Sequence, residues 1–471
     1  MSIQSDSASI LGRITVEGWL CPDAPLLIGE GAGGEARGDL DIHVLRSKEG
    51  IPFIPGTSLA GALRSFVEEE DDGVRAADIL FGSIEGEGRQ SAISLYDVEL
   101  RDAQIGIRDG VCIDPITGTA VRHGKYDYEI VESGAGGNFY AEIILRSAHE
   151  KDEELLKRTL LRLRDLLRGG FHVGARTSKG FGRMHLRDMV VNCYDFRRAQ
   201  DVLAWLSVDR GRAAHTEEVD AQERRPLPYA VGDFIIEADF ALTGSLIVRD
   251  YEHANEMADD KKNPDALMKM SGKGENIIPG TSLKGVLRHR AAYILHALGK
   301  DTETADRMIC DLMGPSPERM RALRHEEKHR SRFVAEEAIV TGVPHTQTRI
   351  RCDRFTGGTI ASALFSTRPI WRAPHEEKAL TLTFGVRQMG KRTVQDWEVG
   401  LCLLLLKDLW LGRTALGGEK SIGRGILAGL GARIYRHGQQ CWALEHGVPF
   451  DSDMVDEMQE YVTALDEEAG R

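Results

Sequence analysis

The sequence predicts an α+β protein made of two tandem copies of one module, each with helices on one face of an antiparallel sheet. Three observations support this. Residues 54–64 read IPGTSLAGALR and residues 278–288 read IPGTSLKGVLR, which agree at nine of eleven positions. A second pair of segments, residues 163–183 and 406–426, aligns without a gap and matches at three glycines. Residues 234–242 alternate apolar with largely polar side chains, as a half-buried strand requires.

Each copy follows the same predicted order: strand, irregular loop, helix, several strands with a long hairpin, helix, glycine-rich loop and final strand. Residues 10–20 form a looser version of the opening strand. Such self-similarity is typical of a duplicated unit. The predicted organisation is a first module over residues 1–208, a charged linker with two prolines over residues 209–231, and a second module over residues 232–471. The acidic tail from residue 451 is predicted to be a solvated helix.

The composition indicates a globular protein, with 42% apolar and 28% charged residues. The N-terminus lacks the basic and apolar regions of a signal peptide, and no apolar run reaches the length of a membrane span. We therefore expect a cytoplasmic protein without a membrane partner. The seven cysteines show no metal-binding spacing and are expected to be free thiols. The net charge of −13 argues weakly against nucleic acid, but it does not describe local patches.

The shared IPGTSL segment predicts a turn followed by a helix that Thr57 or Ser58 caps, or Thr281 or Ser282 in the second copy. A helix N-terminus after glycine offers free N–H groups and a positive dipole end, which can hold a phosphate. The alternative is a capped structural helix with solvated basic residues. The candidate RNA-binding residues of these segments are Ser58, Arg64, Ser282, Lys284 and Arg288.

The two glycine-rich segments combine glycines with hydroxyl and basic side chains. Glycine lets a backbone approach a ligand closely, and hydroxyls and cations suit a sugar-phosphate chain. Neither segment ends in GK[ST], so neither is a Walker A loop. The alternative is a tight connection between helix and strand. The candidate RNA-binding residues here are Arg176, Ser178, Lys179, Arg183, Lys420, Ser421 and Arg424.

Asp41 and Asp265 occupy the same position, fourteen residues before the proline of each IPG motif. A lone aspartate in a loop is usually a turn former or a cap. Close to an RNA backbone, a carboxylate can instead bind a hard cation such as Mg²⁺ or position a 2′-hydroxyl for attack. The neighbouring Asp39 and His43 have no counterparts in the second copy, so any shared chemistry must reside in the two aspartates.

Together these motifs resemble the RAMP superfamily, and specifically the backbone subunits of type III CRISPR effector complexes. The resemblance rests on D-x8-G-x3-IPGTSLxGxLR in each copy, on LFG at 80–82 and LMG at 312–314, on GVCIDPITGTA from Gly110, and on the glycine-rich segments. It covers about residues 10–190 and 232–432.

The resemblance implies a ferredoxin-like (RRM-like) core in each module, a palm that holds guide RNA, and a hairpin thumb that interrupts guide–target pairing. The thumbs are expected near residues 118–142 and 357–372, where Tyr126 and Phe365 are candidates to stack on bases. The implied partners are the guide RNA, complementary target RNA and the other subunits of a prokaryotic effector complex.

In the family, the loop aspartate ahead of IPG cuts target RNA with a divalent metal. Matched by position, this role falls to Asp41 and Asp265, both as catalytic residues and as ligands of a metal, Mg²⁺ by preference. One departure is that the family's subunits are usually separate chains, whereas two are fused here. Another is that Glu419 replaces the arginine that matches Arg176.

Three functions follow as hypotheses. The leading one is a guide-RNA-binding subunit that cleaves complementary RNA at two places by metal-dependent attack of the 2′-hydroxyl. The second is a scaffold of the same fold without a working catalytic centre. The third is a guide-RNA maturation nuclease that uses histidine, for which His43 and His172 are the loop candidates.

Overall fold

The computed structural model describes residues 9–30, 40–69, 72–84, 88–114, 117, 119–207, 215–219, 232–250, 264–316, 320, 324, 329–390 and 392–468. Within these ranges, no helix has both the length and the apolar character needed to cross a membrane.

The elements of module 1 are β1 (Ile10–Pro22), β2 (Phe53–Ile54), α1 (Gly56–Glu68), α2 (Gly73–Phe81), β3 (Ile93–Leu95), β4 (Val98–Glu99), β5 (Ile105–Ile113), β6 (Ala120–Val131), β7 (Gly137–Arg146), α3 (Glu153–Gly169), β8 (Phe171–His172), β9 (Arg183–Asp195), α4 (Ala199–Leu206) and β10 (His215–Val219).

The elements of module 2 are β11 (Phe234–Leu242), β12 (Ser245–Leu246), β13 (Arg249–Asp250), β14 (Ala266–Met268), β15 (Ile277–Ile278), α5 (Gly280–Ala297), α6 (Thr302–Met313), β16 (Phe333–Ala335), β17 (Ala338–Ile339), β18 (Val343–Pro344), β19 (Gln347–Cys352), β20 (Thr359–Arg368), β21 (Ile370–Trp371), β22 (Leu380–Val386), α7 (Asp396–Trp410), β23 (Leu427–Arg436), β24 (Gln439–Glu445) and α8 (Ser452–Glu468).

The two central sheets share one topology. The strand order is β10-β9-β1-β7-β3 in module 1, with β8 also paired to β9, and β16-β22-β11-β23-β24 in module 2. Both contain the four-stranded ferredoxin-like core, in which the first strand lies between the third and the fourth. The pairings are antiparallel throughout. The predicted fold class, two tandem ferredoxin-like modules, is confirmed.

Each module buries its own apolar core under the sheet. The repeated IPGTSL helix supplies matched core residues, because leucines four positions apart lie on one helical face. Leu59 and Leu63 of α1 and Leu283 and Leu287 of α5 are all at most 2% exposed. The shared motif is therefore in the first place a packing motif.

The shared helices begin differently from the prediction. Both α1 and α5 start at the glycine of IPG, with proline as the N-cap and no side-chain cap hydrogen bond. The predicted caps, Thr57 or Ser58 in α1 and Thr281 or Ser282 in α5, are therefore wrong, because each helix starts before these residues. Instead, Oδ1 of Asp97 accepts a hydrogen bond from the Gly56 N–H at 2.7 Å, so a carboxylate of the same module already lies at this N-terminus.

Each module carries a projecting hairpin. We call β5 and β6 thumb 1 (residues 105–131), and β19 and β20 thumb 2 (residues 347–368). The predicted range 118–142 omitted β5 and included the start of β7, which belongs to the central sheet. The predicted range 357–372 likewise omitted β19. Both predicted ranges begin between the two strands of their hairpin and therefore miss the first one.

Part of the predicted linker is ordered as a strand. Residues 215–219 form β10 and pair antiparallel with β9 from His215 opposite Cys193 to Val219 opposite Met189. The other residues of the predicted linker up to 231 lie outside the described ranges.

The C-terminal helix α8 is packed rather than solvated, which corrects the prediction for the tail. Leu465 is fully buried, and the Trp442 Nε1–H donates to Glu457 at 3.0 Å. A Cβ on Gly400 of α7 would overlap the Tyr461 carbonyl of α8. The acidic residues of α8 thus cover the outside of an element that belongs to module 2.

Modules 1 and 2 join through a glycine-rich loop. We call residues 174–182 glycine loop 1, and its central turn (Thr177–Lys179) lies on the N-terminus of α5. A Cβ on Gly280 would overlap the Lys179 carbonyl. A Cβ on Gly180 would come within 2.7 Å of the Glu337 nitrogen. Glycine is therefore needed on both sides of the junction.

Buried charges form a second contact between the modules. Arg108 of thumb 1 lies 3.1 Å from Glu132 of its own module and 3.5 Å from Glu337 of module 2, and it donates to the Met270 carbonyl at 3.2 Å. The Arg108 guanidinium thus pairs with two carboxylates, one from each module. Burial raises the pKa of Glu337 to about 7, against the lowering effect of Arg108, and the charge of Glu132 raises it further.

This arrangement predicts a stability that depends on pH. The folded state holds the Glu337 proton more tightly than the unfolded chain, whose ordinary value is 4.5. The contribution of this group is therefore complete below pH 4.5 and is lost as the pH rises to about 7. Glu337→Gln cannot lose this contribution. Its free energy of unfolding should therefore rise relative to that of the wild type as the pH increases from 4.5 to about 7. Thermal unfolding across the pH range measures this.

Glu445→Gln is the matched control, because Glu445 is exposed on β24. A difference between Glu337→Gln and the wild type that does not change with pH would contradict the assignment.

Candidate nucleic-acid interface

A cleft of about 3520 Å³ lies between thumb 1, glycine loop 1 and helix α5. Its lining contains 15 lysine or arginine residues and nine aspartate or glutamate residues. The whole chain has the opposite balance, with 60 basic and 73 acidic residues. The cleft therefore reverses the sign of the charge locally, which suits a polyanion. This patch is what the net charge of the sequence could not show.

The two predicted aspartates occupy equivalent places. Asp41 Oδ2 accepts a hydrogen bond from the Asp127 N–H of thumb 1 at 2.9 Å. Asp265 Oδ2 accepts from the Ser366 N–H of thumb 2 at 2.6 Å. In both modules the residues that follow pair in parallel with the thumb strand. Both aspartates are exposed, Asp41 lines the cleft, and Asp265 lies outside its lining.

The donor set at each aspartate bears on the expected metal. Among the described residues, no group of three or more His, Cys, Asp or Glu side chains is arranged to hold a metal ion. Mg²⁺ is commonly held by one or two carboxylates together with substrate phosphates and waters. One exposed carboxylate in each module therefore fits a metal that is shared with a bound phosphate, and does not fit a cage made of protein alone.

The two glycine-rich loops have the same backbone. We call residues 417–425 glycine loop 2. In both loops a short 3-10 turn follows a left-handed residue, Arg176 at φ 61° and Glu419 at φ 56°, and precedes a left-handed glycine. Loop 1 is docked on module 2, whereas a Cβ on Gly423 would meet no atom within 4 Å. The same loop is thus used once at the junction and once within module 2.

Several predicted basic residues remain available in the cleft. Arg183, Lys179 and Lys420 line it, and no hydrogen bond or ion pair occupies their side chains among the described residues. Burial lowers the pKa of Lys179 to about 8, with help from the nearby Arg176 and Arg288. Basic side chains without such a protein partner are the groups that a phosphate backbone would neutralise. Ser58, Ser282 and Ser421 also line the cleft.

The predicted stacking residue Tyr126 already contacts an arginine. The Arg176 guanidinium lies 4.9 Å from the ring centroid of Tyr126 and 4.3 Å from that of Tyr128. It also donates to the Tyr126 hydroxyl at 3.3 Å. Arg176 therefore ties glycine loop 1 to thumb 1 by cation–π contacts. Base stacking by Tyr126 stays a prediction, with this ring partly covered.

In module 2 the corresponding contacts are ionic. Glu419 accepts hydrogen bonds from Arg349 at 2.6 Å, Arg424 at 2.8 Å and Arg249 at 3.1 Å. Burial alone would raise the pKa of Glu419, but the hydrogen bonds from Arg349 and Arg249 hold it below its usual value. Arg424 is 2% exposed and lies outside the cleft lining. The structure thus places this predicted RNA-binding residue in an internal ion-pair network.

Phe365 is the counterpart of Tyr126 on thumb 2. It is 39% exposed, and the Arg349 guanidinium lies 4.7 Å from its ring centroid. An exposed aromatic ring with one cation nearby remains compatible with the predicted stacking.

Lys284 is buried at the junction. Its Nζ donates to Ser331 Oγ at 2.6 Å, to the Phe333 carbonyl at 2.8 Å and to Ser178 Oγ at 3.0 Å. Burial holds the pKa of Lys284 well below its usual value, and the positive charge of Lys179 lowers it further. The hydrogen bonds of Lys284 and Ser178 join module 1 to module 2, which gives both residues a structural role that the sequence did not reveal.

Arg64 and Arg288 make matched hydrogen bonds within their modules. Arg64 donates to the Gly82 carbonyl at 2.6 Å, and Arg288 donates to the Gly314 carbonyl at 2.7 Å. These glycines end α2 and α6, in the repeated LFG and LMG motifs. Arg64 also pairs with Asp78 at 2.9 Å. The repeated arginine therefore braces two helices, and only Arg288 lies in the cleft lining as well.

Arg387, which sequence reasoning missed, lines the cleft directly after β22. Its guanidinium donates to His172 Nε2 at 3.0 Å across the junction. Burial, together with the charges of Arg387 and Arg183, holds the pKa of His172 well below its usual value. Arg387 has no counterpart motif in module 1, so only the folded structure brings it to the cleft.

The histidine hypothesis gains no support from this geometry. His172 is half-buried, and its Nε2 accepts a hydrogen bond from Arg387. His43 Nδ1 lies 3.6 Å from Glu129, which also accepts from the Val44 N–H and pairs with Arg46. His43 thus belongs to a local contact between the Asp41 segment and thumb 1.

The model of one protein family matches this chain twice. The model of the RAMP superfamily matches residues 23–185 and 266–428, one match in each module. The CRISPR system Cms endoribonuclease Csm3 of Methanocaldococcus jannaschii is 24% identical over 215 residues, which cover 40% of this chain and 84% of that protein. A solved chain described as "Type III-B Cmr-beta Cryo-EM structure of the Apo state" has 13% identity and a TM-score of 0.30, and the match covers 37% of this chain and 96% of that one. The double family match confirms the resemblance that the repeated motifs indicated.

The position of Lys284 predicts a loss of stability when it is removed. Lys284→Ala should lower the free energy of unfolding by about 1–3 kcal/mol, because buried acceptors lose their donor. Chemical denaturation measures this, with Lys407→Ala on the exposed side of α7 as the matched control.

The salt dependence of RNA binding separates the two roles of this lysine. If Lys284→Ala flattens the salt dependence and leaves stability unchanged, Lys284 is an RNA contact as the sequence predicted, and its structural assignment fails.

Proposed function

Because the chain belongs to the RAMP superfamily through both of its modules, we propose that it is a guide-RNA-binding backbone subunit of a type III CRISPR interference complex. In this role it cleaves complementary target RNA at two sites, one in each module, and contributes to antiviral defence in the prokaryotic cytoplasm. The observation that carries the proposal is the pair of matched aspartates, each held by an N–H of its own thumb.

The charge of the cleft supports the binding of RNA. Its 15 basic side chains exceed its nine acidic ones on a chain that is acidic as a whole. Arg183, Lys179 and Lys420 are positioned to neutralise backbone phosphates, a contact that fixes register without reading sequence. The guide would then select the target by base pairing, so that the protein needs no base-specific side chains.

The exposed carboxylates support the proposed cleavage. The 2′-oxygen of the target forms a bond to the adjacent phosphorus, the bond from phosphorus to the 5′-oxygen breaks, and the 2′-hydroxyl proton leaves while the 5′-oxygen gains one. Asp41 and Asp265 would orient the reacting nucleotide, each with its second oxygen free of the thumb N–H. A divalent metal bound by the same carboxylate would supply charge stabilisation at the phosphate.

The alternative is an RNA-binding scaffold without a working catalytic centre, and the structure favours it for module 2 alone. The observation that favours it is that Asp265 lies outside the lining of the cleft, whereas Asp41 lies within it. The proposed function predicts two cleavage products, whereas a scaffold role of module 2 predicts that the second product is absent. The fold and the guide are the same in both cases.

Asparagine variants of the aspartates test the cleavage. Asp41→Asn and Asp265→Asn keep an oxygen that can accept the thumb N–H but remove the negative charge. Each should reduce a different product of the assembled complex by about 100-fold or more while guide binding is unchanged. Gel analysis of a guide-complementary RNA, with and without a chelator, measures both products.

Asp306→Asn is the matched control, because Asp306 is an exposed aspartate in the same cleft. Persistence of both products in the Asp41→Asn, Asp265→Asn double variant would remove the catalytic assignment. A wild-type complex that makes only the product assigned to Asp41 would leave module 2 as a scaffold.

Salt dependence tests the binding of the RNA backbone. Arg183→Ala should weaken RNA binding without regard to sequence, and should reduce the slope of log affinity against log salt by about 0.7–0.9, because one phosphate contact is lost. Measurements at several salt concentrations give the slope.

Arg64→Ala serves as the control, since Arg64 lies outside the cleft lining and is bound within module 1. Equal slopes for Arg183→Ala and the wild type would contradict the assignment of Arg183.

A further inference from the structure

The residues before the two 3-10 turns differ in charge but occupy one conformation. Arg176 and Glu419 are both left-handed and both lead into the turn of their glycine loop. The two residues thus share a backbone conformation but carry opposite charges, and the side chain of each has different partners. In both modules it holds the thumb, although by different chemistry.

In module 1 the cation comes from the loop. The Arg176 guanidinium lies over Tyr126 of β6, and Gly110 lies opposite Tyr126 on β5. A Cβ at Gly110 would overlap the Tyr126 ring. Glycine on the opposite strand therefore leaves room for the ring, and the loop supplies the guanidinium that covers it.

In module 2 the cation comes from the thumb. Phe365 corresponds to Tyr126, and the residue opposite it on β19 is Arg349. Arg349 lies over the Phe365 ring at 4.7 Å and also donates to Glu419 at 2.6 Å. The arginine over the aromatic ring thus lies on the glycine loop in module 1 and on the thumb strand in module 2. In module 2 the glycine loop carries the carboxylate that binds this arginine.

Glu419 also contacts both edge strands of the sheet that begins next to Asp265. This sheet has the order β13-β14-β20-β19, and Asp265 directly precedes β14. Arg249 lies on one edge strand and Arg349 on the other, and they donate to the two different oxygens of Glu419. One carboxylate therefore joins both edges of a four-stranded sheet.

Arg424 strengthens the same connection. Beside its bond to Glu419, it donates to Gln347 at 2.6 Å and to Thr367 at 3.3 Å. These two residues face each other at the base of thumb 2. The side chains of Glu419 and Arg424 are 9% and 3% exposed, so these bonds are shielded from water and salt.

We infer that Glu419 is a positioning residue of the second module. It connects the two edge strands of the sheet next to Asp265 and holds thumb 2 against glycine loop 2. Arg176 does the same in module 1 through cation–π contacts. The inference rests on the proposed function for its effect on cleavage, whereas its effect on thumb 2 does not depend on RNA.

Hydrogen exchange of the full chain tests the structural part. Glu419→Gln keeps the shape of the side chain and removes its charge. It should increase amide exchange in residues 347–352 and 359–368, and leave residues 105–113 and 120–131 of thumb 1 unchanged. Glu377→Gln, at an exposed site outside thumb 2, is the matched control. Should Glu419→Gln fold poorly, Arg249→Ala removes one partner from a more exposed position.

Cleavage by the assembled complex tests the functional part. The product of the second site should fall about tenfold or more relative to that of the first site in the same molecule, because small displacements of reacting groups are costly. Guide binding should not fall, because the change removes a negative charge from the cleft lining.

The outcomes separate this inference from the proposed function. Unchanged exchange in thumb 2 would overturn it, whatever happens to cleavage. Increased exchange with an unchanged product ratio would overturn the positioning role. Increased exchange in a protein whose wild type makes no second product would instead remove the catalytic function of module 2, while the role of Glu419 in holding thumb 2 would stand.

Discussion

The hydrogen bond from a thumb N–H to a loop aspartate is the constraint on which the candidate sites depend. It fixes one carboxylate oxygen of each aspartate against its thumb. It also couples the aspartate segment to the hairpin, because the next residue pairs in parallel with the same strand. Since the bond uses a backbone donor, the thumb residue can change from Asp127 to Ser366 without loss of the contact.

The junction between the modules combines with this constraint to place the first site at a charged surface. Glycine loop 1 can reach α5 only because Gly180 and Gly280 lack a Cβ. The docked loop then brings basic residues of both modules to one cleft, Lys179 and Arg183 from one side and Arg387 from the other. An acidic chain thereby acquires a basic groove without a basic composition. Fusion of the modules makes this groove a property of a single chain.

The sequence was sufficient for the fold because the duplicated motif repeats features that packing requires: two buried leucines in one helix and an arginine that binds the carbonyl of a distant glycine. It also predicted that Asp41 and Asp265 are equivalent, since their spacing from IPG is the same. It could not predict the burial of Lys284, whose acceptors lie on another module and another strand. Nor could it place Arg387, because no repeated motif marks that position.

The exchange between Arg176 and Glu419 shows how far two copies of a module can diverge while their geometry is retained. A change from arginine to glutamate in an isolated loop would break a cation–π contact and leave a carboxylate near an aromatic ring. Here Arg349 restores the cation over Phe365 and binds the new carboxylate at the same time. The result is a loop of equal backbone conformation that binds its thumb through buried ionic hydrogen bonds. The two copies therefore share the position of the thumb relative to the glycine loop, although the residue that connects them has the opposite charge.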